Sequence, residues 1–264
     1  MARPFLSRIL PNRLKQSLYY RYYHPRHDAW RHLFAAAPLA LCPQVSMFDL
    51  IPGDVISGNV AFHGFYEWEL SRRIAAHAAK GGLLVDVGAN MGYFSLLWAG
   101  LSGTGKVVAY EAAPRNIRLF ENNVERNHLR DRITLIPKAA GDRHGTVTFD
   151  AGPADQTGWG GISAGGSATA ITVPLVRLDE QLPDAKIDVL KIDVEGADTW
   201  VLFGCEALLK RRAIQTIFFE QQPSRMKLLG IEPGDAQRFL AGLGYECQPL
   251  GAEEGEWTAS PKTA

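Results

Sequence analysis

The sequence predicts an α/β fold: a doubly wound, mostly parallel sheet preceded by a helical arm. Three observations carry that reading. From Leu83 onward, short apolar runs alternate with amphipathic stretches. The first run, Leu83-Leu-Val-Asp-Val87, ends in a glycine turn that opens a helix. The chain has 264 residues, 46% hydrophobic and 21% charged, the size and composition of one large globular domain with an extension.

The elements follow in order. Residues 1–45 read as a basic, aromatic arm, helical over 1–37, with Tyr19, Tyr20, Tyr22, Tyr23, Trp30 and Phe34. From Ser46 to about Val60 short extended pieces surround the turn signal Pro52-Gly53-Asp54. Glu67 to Lys80 predicts a helix with Leu70, Ile74 and Ala78 on one side, ended by Gly81-Gly82. Strands are expected at Leu83–Val87, Lys106–Glu111, Ile133–Ala140, Ile187–Asp193 and Ile214–Glu220, with two further extended pieces at Thr146–Asp150 and Ile171–Arg177. Helices are expected at Tyr93–Ala99, Arg115–Asn127, Ala197–Lys210 and Asp235–Leu243. Strands alternating with helices imply right-handed crossovers and a sheet covered on both faces. The domain is drawn at 46–250, and the small polar residues 251–264 read as a frayed tail.

Lys+Arg and Asp+Glu both number 28, which argues against a surface given over to nucleic acid. The balance conceals an asymmetry. Residues 1–32 hold seven Lys/Arg against the single acid Asp28, a net +6, and the rest of the chain carries −6. Cys42, Cys205 and Cys247 form no C-x-x-C pair, so reduced thiols fit better than zinc or a disulfide framework. No apolar run approaches a membrane span, and the expectation is a cytoplasmic protein, with peripheral membrane contact through the basic arm as a further option.

The chemistry concentrates at four places. Asp86-Val-Gly88-Ala89-Asn90-Met-Gly92 follows a strand and opens a helix, where glycines admit close backbone approach and helix N–H groups stand free. The spacing is not the G-x-G-x-x-G of dinucleotide binders. An acid at this strand end repels a pyrophosphate but suits a ligand with an ammonium group and a carboxylate, such as S-adenosylmethionine. Glu111 ends the next strand, where an acid accepts hydrogen bonds from ribose hydroxyls. Lys191-Ile-Asp193-Val-Glu195-Gly196 crowds three charged groups at an apolar strand end, where they pair with one another or face a site. Glu220 ends the following strand; beside Asp193 it makes a pair able to act as base and orienter, or to hold a divalent ion, which is the less favoured option. Gly152–Ala170, with six glycines and a lone Trp159, is either a plain surface loop or a lid. His63, a single histidine, is more readily structural than catalytic.

The ordered set of these motifs resembles the FkbM family of S-adenosylmethionine-dependent methyltransferases. The resemblance rests on Gly64-Phe-Tyr-Glu67, Val85 to Ser95, Glu111 with Pro114, Asn116, Asn123 and Asn127, Arg177-Leu-Asp179, Leu190 to Gly196, Val201-Leu-Phe-Gly204 and Glu220. It spans about residues 60–222; the arm is outside it. Glu111-Ala-Ala-Pro114 departs from the family's shorter acid–proline spacing, and Asp198 stands where Glu is usual. The resemblance implies a class I methyltransferase fold and, often, O-methylation of a sugar, glycan or polyketide hydroxyl. It implies that Gly88, Ala89, Asn90 and Gly92 cradle the amino-acid end of the cofactor with Asp86 near its ammonium, that Glu111 holds the ribose, and that Ala139 and Ala140 frame the adenine. Asp193, Glu195 and Glu220 are the candidate catalytic groups. The rival readings are an N- or nucleic-acid methyltransferase, a nicotinamide-dependent oxidoreductase and a non-catalytic cofactor-binding module. No Asn-Pro-Pro-Tyr or Asp-Pro-Pro-Tyr stands at a strand end, which counts against amino methylation.

Overall fold

The computed structural model describes residues 3–163, 168–251 and 255–262. Seven strands make the central sheet: β1 (Leu83–Val87), β2 (Lys106–Tyr110), β3 (Ile133–Ile136), β4 (Ile187–Ile192), β5 (Ile214–Glu220), β6 (Tyr245–Pro249) and β7 (Glu256–Pro261). Their order is β6-β7-β5-β4-β1-β2-β3. β1 to β5 run parallel, and β7 is antiparallel to both its neighbours. The chain leaves β1 toward β2 and β3, then returns to add β4 on the other side of β1. That reversal opens a crevice between β1 and β4 at their carboxyl ends, where open α/β sheets bind ligands. The fold is the doubly wound α/β architecture expected.

Both faces of the sheet are buried, as parallel strands require. Leu84, Val107, Ala109, Val189 and Phe218 face one core; Val85, Val87, Leu190, Ile192 and Phe219 face the other. The first core extends into the arm. Tyr19, Tyr23, Leu33 and Phe34 are buried there, and the Tyr23 ring stacks on Phe62 at 4.7 Å. The arm is a chain of short helical turns over Phe5–Ile9, Asn12–Leu18, Tyr19–Tyr23 and His24–Leu33, followed by strand Ala36–Pro38 paired with Ser46–Phe48. That pair bridges residues 45 and 46 and so ties arm to domain. The three cysteines are free.

Four expectations need correction. Val55–His63 is a helix, not extended chain; Ile56 to His63 are all buried, so no polar face marks its period. Asp54 caps it, accepting from the Ser57 amide at 2.8 Å, and Gly64 at φ +81° ends it. The expected strand Ile133–Ala140 breaks at Ile136. Ala139–Ala140 leaves the main sheet and pairs with Ala170–Val176, in a second sheet completed by Gly145–Asp150 and Gly161–Ile162. The helix expected over 197–210 is two helices, Asp198–Phe203 and Glu206–Lys210, because Gly204 packs against the Gly141 carbonyl between them. The stretch 251–264, expected to be a frayed tail, supplies β7. Its Ala259 is buried and Trp257 packs on Phe219, and both edges of the strand are hydrogen-bonded. Gly165 and Gly166 of the expected lid lie outside the described residues.

Candidate active site

The crevice at β1 and β4 is a cavity of about 190 Å³. Four features build its wall.

The first is the turn after β1. Gly88 and Ala89 donate their amides to the Tyr110 carbonyl, at 2.9 and 3.0 Å, which locks the turn onto β2. Gly88 (φ +73°) and Asn90 (φ +52°) take left-handed backbone there. Gly88, Ala89 and Asn90 line the cavity; Gly92 does not, because it packs against the Phe120 ring.

The second is Glu111. Its carboxylate accepts the Asn90 amide at 2.7 Å and those of Ala112 and Ala113 at 3.0 and 2.8 Å. Burial pushes its pKa up against these three bonds and the nearby Lys191 charge. Glu111 lines the cavity, as do Ala139 and Ala140 across from it.

The third is a buried cation. Lys191 stands opposite Asp86 in the β4–β1 register. Its ammonium lies 3.0 Å from the Gly88 carbonyl, 3.3 Å from Asp193 Oδ2 and 3.5 Å from Asp86 Oδ1. Burial alone would lower its pKa, but the carboxylates of Asp193, Asp86 and Glu67 outweigh that and raise it. Asp86 is fully buried, takes a 2.7 Å hydrogen bond from Ser95 Oγ and does not reach the cavity wall. Asp86, expected near a ligand ammonium, is thus set behind the cavity lining with Lys191 as its ion-pair partner.

The fourth is a group of carboxyls at the ends of β4 and β5. Ile192 pairs with Phe219, so Asp193 and Glu220 follow on adjacent strands. Both line the cavity, with Glu195. Burial, then the Asp193 charge, raises Glu195 to about 7 despite Arg225, whose Nε is 3.1 Å from its carboxylate. The same causes raise Glu220 to about 7, against a 3.1 Å hydrogen bond from Gln222. Behind them, buried Asp198 accepts the Glu220 amide at 3.0 Å and is raised to about 8, first by burial and then by Asp193.

A roof closes over these features. Thr157 donates its amide and its hydroxyl to Asp54 Oδ1, at 2.7 and 2.9 Å. Asn116 donates to the Thr157 carbonyl at 3.0 Å, and Arg115 to the carbonyls of Pro153 and Gln156, both at 2.7 Å. Thr157 to Gly160 line the cavity, with Trp159 half exposed at its rim. Residues 153–157 of the glycine-rich stretch are therefore pinned beside the site.

Residues 86–247 match the family described as Methyltransferase FkbM domain. The chain belongs to that family. A hexuronic acid methyltransferase, AglP of Haloferax volcanii, is 29% identical over 195 residues, 71% of this chain and 74% of that protein. The SAH-bound Podospora anserina methyltransferase PaMTH1 superposes over 97% of this chain and 99% of its own, with a TM-score of 0.51 and 14% identity. The FkbM methyltransferase of Methylobacillus flagellatus KT superposes over 77% of this chain with a TM-score of 0.49 and 13% identity; the chain spans 52% of that protein.

Several residues at this methyltransferase's site escaped sequence reasoning as site residues. Asp54 and Thr157 are more than a hundred positions apart. Glu67 lines the cavity with left-handed backbone (φ +42°), its pKa raised by burial and Asp193 against a hydrogen bond from Tyr66. Only its place in Gly64-Phe-Tyr66-Glu67 pointed to it. Conversely, His63 is buried behind the arm and is not at the cavity. Among the described residues no group of three or more His, Cys, Asp or Glu is arranged to hold a metal ion.

Proposed function

We propose that this FkbM-family methyltransferase uses S-adenosylmethionine and methylates a hydroxyl oxygen of a sugar, glycan or polyketide-type acceptor. One observation carries the reading: the Gly88–Asn90 turn, Glu111 and the adjacent acids Asp193 and Glu220 all converge on a single cavity. The donor set suits the cofactor. A carboxylate already fixed by three backbone amides fits a ribose diol, and the acids at the β4 and β5 ends favour a cationic ligand. The sugar acceptor is supported by AglP, since a hexuronic acid offers oxygen and no nitrogen.

When bound, the cofactor supplies a sulfonium-activated methyl group, which the acceptor oxygen attacks in line while the C–S electron pair returns to sulfur. The protein's part is chiefly positioning, with the roof excluding water. The acceptor proton passes to a carboxylate. Glu220 is the best candidate because its pKa near 7 suits a base at neutral pH, and it is held by a hydrogen bond from Gln222 rather than by an ion pair like those of Glu195 and Asp193. Glu195 is tied to Arg225, and Asp193 to Lys191.

Calorimetric titration with S-adenosylmethionine is expected to give binding that Glu111→Ala weakens strongly. Methyl transfer to a hexuronic acid or neutral sugar is expected to slow ~10²–10⁴-fold in Glu220→Gln, with cofactor affinity retained and no effect of a chelator. Preferential binding of NADH would overturn the cofactor; a wild-type rate in Glu220→Gln and Asp193→Asn would move the proton acceptor elsewhere.

A further inference from the structure

The first helix of the arm is built the wrong way round for water. Phe5–Ile9 buries Ser7 and turns Phe5 (63% exposed), Leu6 and Ile9 (57%) outward. A surface helix ordinarily does the reverse. The pattern continues along the arm, with Leu14, Tyr20 and Tyr22 also exposed. Among the described residues, six of the eight exposed large hydrophobics fall between residues 5 and 22. Exposed cations stand among and just beyond them: Arg8, Arg21, Arg26 and Arg31, with Arg8 over the Phe5 ring, Arg26 over Tyr22 and Arg31 paired with Asp28. Tyr19 and Tyr23 pack on Phe62 and so fasten the arm to the domain while these residues stay exposed.

We propose that this side of the arm docks on a lipid bilayer surface carrying anionic headgroups. Aromatic and aliphatic side chains beside arginines match the interfacial layer of a membrane: apolar groups enter the acyl boundary and guanidinium groups meet phosphates. Among the described residues no helix is long and apolar enough to cross a membrane, so the contact is peripheral. A symmetric pairing of two copies through this side would bring two segments of +6 together. The docked arm also sits next to the active site. It packs on helix Val55–His63, whose Val55 and Ile56 line the cavity, and His24 lies 3.3 Å from the Gly53 carbonyl beside Asp54. Docking thereby holds the cavity close to molecules carried at the bilayer surface. The proposal does not depend on which acceptor is methylated.

Flotation of the full chain with vesicles of phosphatidylcholine, with and without phosphatidylglycerol, tests it. The protein is expected to float with the anionic vesicles, less with the neutral ones, and less again at high salt. Phe5→Ser with Ile9→Ser is expected to abolish flotation. Arg8→Gln with Arg21→Gln is expected to weaken partition about twenty-five-fold, from roughly fivefold per cation. Both variants should keep the wild-type melting temperature and S-adenosylmethionine affinity. Failure of the wild type to float, or variants that float equally well, overturns the proposal. Concentration-dependent self-association lost in Phe5→Ser/Ile9→Ser, without flotation of the wild type, overturns it in favour of a second copy of the chain.

Discussion

Gly88 lies so close to the carbonyl oxygen of Asp193 that a Cβ at position 88 would overlap it. The glycine is needed by the protein itself, before any ligand arrives. Substitution forces the Asp193 loop away and strains a backbone at φ +73°. Gly88→Ala is therefore expected to cost about 3 kcal/mol or more, seen as a lowered midpoint in denaturant, together with lost turnover. A variant of wild-type stability that merely binds cofactor weakly would show the close approach to be the ligand's.

Lys191→Met leaves Asp86 buried and without its ion pair. Breaking a buried pair from one side typically costs about 3–5 kcal/mol, so the variant is expected to be destabilised by that order. The double change Lys191→Met/Asp86→Leu is expected to recover much of the loss. A double variant no more stable than the single one, in equilibrium unfolding, contradicts the pairing.

Glu195 and Glu220, near 7, and Asp198, near 8, are raised far above ordinary carboxylates. The folded state therefore holds protons that the unfolded state releases at about pH 4. The stability these groups contribute is complete below that pH and is lost as pH rises through 7 and 8. Melting temperature should fall between pH 5.5 and 8.5, with a slope of at most about 1.4 kcal/mol per pH unit for each group. Glu220→Gln should flatten it. With Glu220 as the proposed proton acceptor, turnover is expected to run oppositely, rising through pH 7. A stability profile that rises with pH would contradict the assignment.

Asp54 joins the cap of helix Val55–His63 to the roof at Thr157. Thr157→Val removes only the 2.9 Å hydroxyl bond and is expected to cost about 0.5–1.5 kcal/mol. Asp54→Ala orphans the Ser57 and Thr157 amides and is expected to cost more than the valine change, with a higher acceptor KM. Equal, small effects from both in melting and kinetic assays would show that the roof is held by its other bonds, those of Arg115, Asn116 and Gln156.

The turn after β1 and the acids at the β4 and β5 ends were legible because each lies within a few residues of a strand that announces itself by apolar content. What Asp86 does was less so. It alternates with Val85 and Val87 and so points to the same side as Leu84, into the helix-covered face, but its partner Lys191 becomes visible only with the β4–β1 register. Ala139 and Ala140 were found at the cavity although the strand drawn through them was wrong: proximity to β3 carried them there, through a second sheet the periodicity did not reveal. The Asp54–Thr157 contact and the all-buried helix between them left no local pattern. The strand Glu256–Pro261 leaves little local signal because its place is set by the edges that β5 and β6 offer it.

That strand has a consequence for how the chain is made. β7 lies between β5 and β6, yet synthesis reaches it after both. Until Glu256–Pro261 emerges, β5 presents a bare edge and β6 has no neighbour to pair with. The acid-bearing tip of β5, where Glu220 faces Glu256 across the ladder, is thus the last part of the site to be framed. An open edge of this kind is an invitation to pair with another chain, so the nascent protein passes through a sticky interval that ends when β7 pairs with β5 and brings β6 into the sheet beside it.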